Sequence, residues 1–93
     1  MKYVVYLKCF DVDDRVFRTV TEYKKSGGID EKSYRFSNGE WHQLDRTIDY
    51  NSGFGDSYLW DEITQKEALE HMGLEKWPEG QEPGDDEIEK RVV

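Results

Sequence analysis

The stretch from Tyr3 to Phe10 constrains this chain most, because it reads as a β-strand that is largely apolar on both faces. Tyr3, Val5, Leu7 and Cys9 alternate with Val4, Tyr6, Lys8 and Phe10. Such a strand needs cover on each side and therefore belongs in the middle of a sheet. Ninety-three residues suffice for one domain around it and not for two.

The following residues supply neighbours for that strand. Asp11-Val12-Asp13-Asp14 is a polar break of turn length, and Val16 to Tyr23 alternates as a second strand, so a β-hairpin is expected. Ser26-Gly27-Gly28 makes a flexible connection. Asn38-Gly39 then separates Ser33–Ser37 from Glu40–Leu44, and this dipeptide accepts the positive φ angles of a type I′ turn. In that register Phe36 faces Trp41 and Arg35 faces His42. A further short strand is expected at Thr47–Tyr50, followed by a loop over 51–56 and the aromatic run Tyr58-Leu59-Trp60.

One helix is signalled at about Gln65 to Met72. Thr64 stands three residues before Glu67, the spacing of a capping box, and Ile63 can pack over Ala68 as a hydrophobic staple. Ala68, Leu69 and Met72 form the apolar stripe, and Gly73 sits where a helix stops. So short a helix must lean on the sheet. The predicted fold class is α+β: an antiparallel β-meander of four or five strands with one short C-terminal helix. Residues 1–78 form the expected domain, closed by Trp77-Pro78. Residues 79–93 carry few apolar groups to offset chain entropy and read as a flexible, disordered acidic tail.

Charge is where the sequence speaks about function. The net charge is −8, and residues 51–93 hold 12 acidic against 4 basic residues, which accounts for all of it. Acidity of this kind opposes direct binding to nucleic acid or to an anionic membrane and favours a basic partner. No apolar run approaches the length of a membrane span, the N-terminal residues lack a cleavage-site pattern, and a lone cysteine fits a reducing compartment. The expected location is cytoplasmic.

Candidate chemistry is sparse. Cys9 with His42 or His71 is the one thiol–imidazole combination, and Cys9 lies in the most apolar strand, where cysteine acts as a small hydrophobe. The two histidines lack zinc-site spacing. Asp11, Asp13 and Asp14 resemble the start of a calcium loop but have Val16 where the glycine of the sharp turn belongs. Glu22-Tyr23-Lys24 has the Glu-x-Lys form of metal-dependent nucleases without a means of holding DNA, and Gly53-Phe54-Gly55 lacks the rest of a dinucleotide fingerprint. No enzyme activity, cofactor or metal is expected.

The acidic residues carry the functional expectation. Asp61, Glu62, Glu67 and Glu70 would supply electrostatic steering, with Tyr58 and Trp60 as a desolvated anchor, against a protein with a basic groove. Asp56, Glu75, Glu79, Glu82, Asp85, Asp86, Glu87 and Glu89 extend this negative charge. In size, charge and absence of catalytic motifs the chain resembles the small acidic proteins of phages and mobile elements that inhibit host defence nucleases, including anti-CRISPR and anti-restriction proteins. That resemblance implies a non-enzymatic inhibitor that imitates nucleic acid. The alternatives are an interaction or immunity-like module that pairs through a sheet edge, and a small enzyme built on His42 and a carboxylate.

Overall fold

Strand β1 (Lys2–Cys9) is the centre of the molecule, as its two apolar faces require. A computed structural model describes residues 2–9, 12–48 and 60–89. Val4, Val5, Tyr6 and Leu7 are all buried, so both faces of β1 are covered. Strand β2 (Val12–Tyr23) pairs antiparallel with it, with a register shift between Lys8 and Cys9, so that Val12, Asp13 and Asp14, expected in a turn, belong to the strand. Strands β3 (Ile29–Ser37) and β4 (Glu40–Gln43) continue the antiparallel order outward.

The β3–β4 hairpin follows the Asn-Gly reading. Asn38 and Gly39 adopt φ of 53° and 80°, and Phe36 stands opposite Trp41 with Arg35 opposite His42. The Phe36 and Trp41 rings meet edge to face at 5.0 Å between centroids. No strand forms at Thr47–Ile48, and the remainder of the expected strand lies outside the described residues, as does the expected loop over 51–56.

Strand β5 (Trp60–Ile63) returns to the free side of β1 but pairs only with Tyr6–Cys9. Helix α1 (Gln65–His71) follows at once, with Thr64 as N-cap and the reciprocal Thr64–Glu67 capping box in place. Its Ala68 is buried against Val4, Tyr6, Val16, Ile63 and Trp77 on one face of the sheet. The opposite face gathers Val5, Leu7, Phe17 and Ile48, with Leu44 and Trp60 packed at its margin.

The fold is thus a small, mainly antiparallel sheet with one short helix, and it corrects two expectations. Six strands are present among the described residues, in the order β4-β3-β2-β1-β5, with the sixth pairing β1. That strand, β6 (Glu87–Glu89), comes from the segment read as a disordered tail and lies parallel to Lys2–Val4. The reason is backbone satisfaction. The short β5 leaves the first half of β1 unpaired on one side, and buried amide and carbonyl groups such as those around Val4 demand partners. Counting apolar side chains in residues 79–89 misses this, because main-chain pairing holds them there. The last four residues lie outside the described ones.

Candidate interaction surface

The acidic C-terminal third is mounted on an aromatic platform. Trp77 is buried on the α1 face, its ring stacked on Tyr6 at 5.8 Å and close to Phe36 and Trp41 at 5.6 and 5.4 Å. Arg18 lies within the same layer, its guanidinium 4.6 Å from the Trp41 ring centre and 5.0 Å from that of Tyr34. Cation–π contacts of this kind hold a partly desolvated arginine in place. Burial pushes the Tyr6 phenol up to about 12, outweighing the nearby positive charge of Arg18.

Polar links then tie the segment after Trp77 to this platform. The backbone N–H of Trp41 donates to Gln81 Oε1 at 2.9 Å, and the Trp41 indole N–H donates to the Gln81 carbonyl at 3.1 Å. Glu87 reaches Arg18 at 3.9 Å, with both side chains 14% exposed. Lys2 pairs with Asp86 at 3.3 Å on the surface, where the carboxylate raises the lysine's pKa. Glu89 accepts from the Gln65 amide at 2.5 Å and so joins β6 to the first turn of α1. Opposite charge at this helix terminus also complements the helix dipole.

The residues expected at the interface fall in different places. Tyr58 lies outside the described residues. Trp60 belongs to β5, and its ring packs edge to face on Phe17 at 4.8 Å, on the face away from α1. Asp61 is exposed opposite Lys8 and, by strand alternation, shares the α1 face with Ile63. Glu62 points to the other face beside Trp60. Glu67 and Glu70 are exposed on α1. Hydrogen bonds from the backbone and side chain of Thr64 hold the Glu67 carboxyl below its ordinary pKa. The structure therefore collects Asp61, Glu67 and Glu70 on one side and separates them from Trp60 and Glu62.

More coherent than that set is a groove between α1 and the segment after it. Leu69, Trp77 and Pro83 supply apolar surface, and Glu75, Glu79 and Glu82 line it with exposed carboxylates. Gln65 and Lys76 complete the lining. The three glutamates were visible in the sequence as extra charge, but their arrangement around an apolar floor depends on the Gln81–Trp41 clasp. No local pattern announces a clasp between residues 40 positions apart.

The other candidate groups are dispersed. Cys9 is half-buried at the edge of the core on the face away from α1. His42 is exposed with Nε2 3.0 Å from the Ser37 carbonyl, and His71 is exposed in the last turn of α1. Among the described residues, no group of three or more His, Cys, Asp or Glu side chains is placed to hold a metal ion. Nor is any helix there long and apolar enough to cross a membrane. Neither a protein-family model, nor a curated protein, nor a solved structure matches this chain.

Proposed function

We propose that this protein is a non-enzymatic binding protein whose acidic C-terminal surface engages a basic protein. The observation that carries the reading is the groove, with Leu69, Trp77 and Pro83 bordered by Glu75, Glu79 and Glu82. An arginine or lysine matches such a site, since its aliphatic stem covers apolar surface while its charged head meets the carboxylates. A nucleic-acid-handling protein, such as a defence nuclease, presents such residues in rows. The chain then acts as an inhibitor that occupies the place of phosphates, and its site of action is the cytoplasm. Asp61, Glu67 and Glu70 add long-range attraction from the same side of the sheet.

A tagged pull-down from bacterial lysate tests this at low and high salt, with and without competing DNA or RNA. Recovery of a nucleic-acid-binding protein that is lost on adding salt supports the reading, and Glu75→Lys/Glu79→Lys/Glu82→Lys should lose the same partner. A partner held equally well at high salt and by the charge-reversed variant would sink it. One observation favours a second reading, pairing through a sheet edge. Among the described residues, β5 has β1 on one side and no strand on the other. That mode depends on backbone hydrogen bonds, so its partner would survive high salt.

A further inference from the structure

Among the described residues, the large apolar side chains left in solvent, Ile29, Tyr23 and Ile88, form a row through the half-buried Tyr3. Ile88 on β6 stands beside Tyr3 on β1, the Tyr3 ring meets Tyr23 edge-on at 5.7 Å, and Tyr23 on β2 stands beside Ile29 on β3. Register places all four on the face away from α1, since Tyr3 shares its side of β1 with Val5 and Leu7, and Tyr23 its side of β2 with Phe17. Ile29, Tyr23 and Ile88 are 61%, 50% and 47% exposed, and they are the exposed large hydrophobics among the described residues. With strands about 4.8 Å apart, the row runs roughly 14 Å across the sheet. A single exposed isoleucine needs no explanation, whereas a continuous apolar strip marks a contact surface.

The ends of the row differ in charge. Beyond Tyr23 and Ile29 lies the β2–β3 turn with Lys24 and Lys25, both exposed, and just before β6 come Asp85 and Asp86, also exposed, of which Asp86 is paired with Lys2 and Asp85 supplies the charge for a partner. Glu31, exposed two residues after Ile29, is acidic on the same face at the basic end, while Glu22 and Asp30 beside the row turn to the α1 face. A strip that is basic at one end, apolar in the middle and acidic at the other is complementary to its own reversed copy.

We propose that this row is a self-association surface and that its occupant is a second copy of this chain, stacked face to face about a two-fold axis running along the strands. That axis lays the β3 flank of one copy over the β6 flank of the other, so that Lys24 and Lys25 approach Asp85 and Asp86 while the apolar rows meet between them. A two-fold axis across the strands sets each flank over its own counterpart and brings like charges together. The contact is isologous, as closed dimers require. It leaves α1 and the acidic groove free, because they occupy the opposite face of the sheet. The area is small beside the roughly 800 Å² per partner of a standard interface, so the dimer is weak, with a dissociation constant on the order of 100 μM.

Sedimentation equilibrium of the full chain at physiological salt, from about 10 μM to about 1 mM, reads this directly. The expected result is a mass that rises from monomer toward dimer across the range. Ile29→Asp and, separately, Ile88→Asp should each raise the dissociation constant at least about tenfold, by placing a charge in the contact. Circular dichroism checks that each variant is folded. Lys24→Glu/Lys25→Glu should weaken association several-fold, and Asp85→Lys added to that chain should recover part of the loss. A monomer mass throughout, association untouched by Ile29→Asp, or a charge exchange that recovers nothing would each overturn the proposal.

Discussion

The two faces of the sheet are covered by different means. On the α1 face the cover is a network of rings, with Tyr6, Phe36, Trp41 and Trp77 spaced 5.0 to 6.3 Å between centroids, and the C-terminal segment is tied across it. On the other face the described cover is aliphatic and comes from irregular chain after β4. It is secured by buried hydroxyls. Thr19 and Ser33 share a hydrogen bond at 2.9 Å, and Ser33 Oγ accepts the Ile48 amide at 2.8 Å while the Ser33 carbonyl accepts the Leu44 amide. The first arrangement gives a continuous rigid layer on which acidic side chains can be displayed. The second fastens chain at a few points and leaves the Tyr23–Ile29 end of its face in solvent.

From this contrast the largest stability effect is expected on the ring face. Trp77→Ala should cost about 3–5 kcal/mol in urea unfolding, because no nearby side chain can refill the space among three rings. Ile48→Ala should fall toward the lower end of about 2–5 kcal/mol, since irregular chain collapses more readily into the gap. Equal costs would erase the distinction between the two kinds of cover.

Alkaline pH should separate the faces next. The Tyr6 phenol has a folded pKa of about 12 against an ordinary value of about 10, so folding favours its neutral form. Its contribution is fully present below about pH 10 and is lost as pH rises through about 12, for about 2–3 kcal/mol in total. Urea midpoints between those limits should therefore fall more steeply for the natural chain than for Tyr6→Phe. Parallel slopes would count against a buried phenol.

The hydroxyl clip is expected to be smaller in effect and strongly coupled. Ser33→Ala leaves the Ile48 amide and the Thr19 hydroxyl without their partner and should cost about 1–3 kcal/mol. Thr19→Val combined with Ser33→Ala should cost less than the two single changes added, which a double-mutant cycle measures. Additivity would mean that the two hydroxyls act independently.

The smallest effect belongs to the capping box. Thr64→Ala should cost about 1 kcal/mol. Because the Glu67 pKa is depressed in the folded chain, its stabilising contribution is present above the ordinary carboxylate range and is lost as pH falls through the lowered value. Carboxyl titration by NMR should find Glu67 below the ordinary value in the natural chain and returned toward it in Thr64→Ala.

Much of this architecture was readable from neighbouring residues. The doubly apolar strand Lys2–Cys9, the Asn38-Gly39 turn with its Phe36–Trp41 pair, and the Thr64–Glu67 box all involve groups close along the chain or fixed by one turn. The candidate surface was less readable. Charge totals pointed to the C-terminal third, but the groove needs Trp77 buried and Gln81 clasped to Trp41. For Trp60, expected as an anchor, composition cannot say which way a strand residue faces, and β5 sets its half-buried ring against Phe17.

By itself, then, the sequence determined the first four strands, the Asn-Gly turn, the helix with its cap and the placement of charge, because each rests on side-chain periodicity or on hydrogen bonds spanning a few residues. Only the tertiary structure decided that Glu87–Glu89 completes the sheet, that Glu89 serves the helix begun 24 residues earlier, and that Arg18 is shared between Trp41 and Glu87. The physical reason is that these polar groups satisfy needs created elsewhere, by an unpaired stretch of β1 and by a partly desolvated cation. Such needs come into being only once the rest of the chain has folded around them.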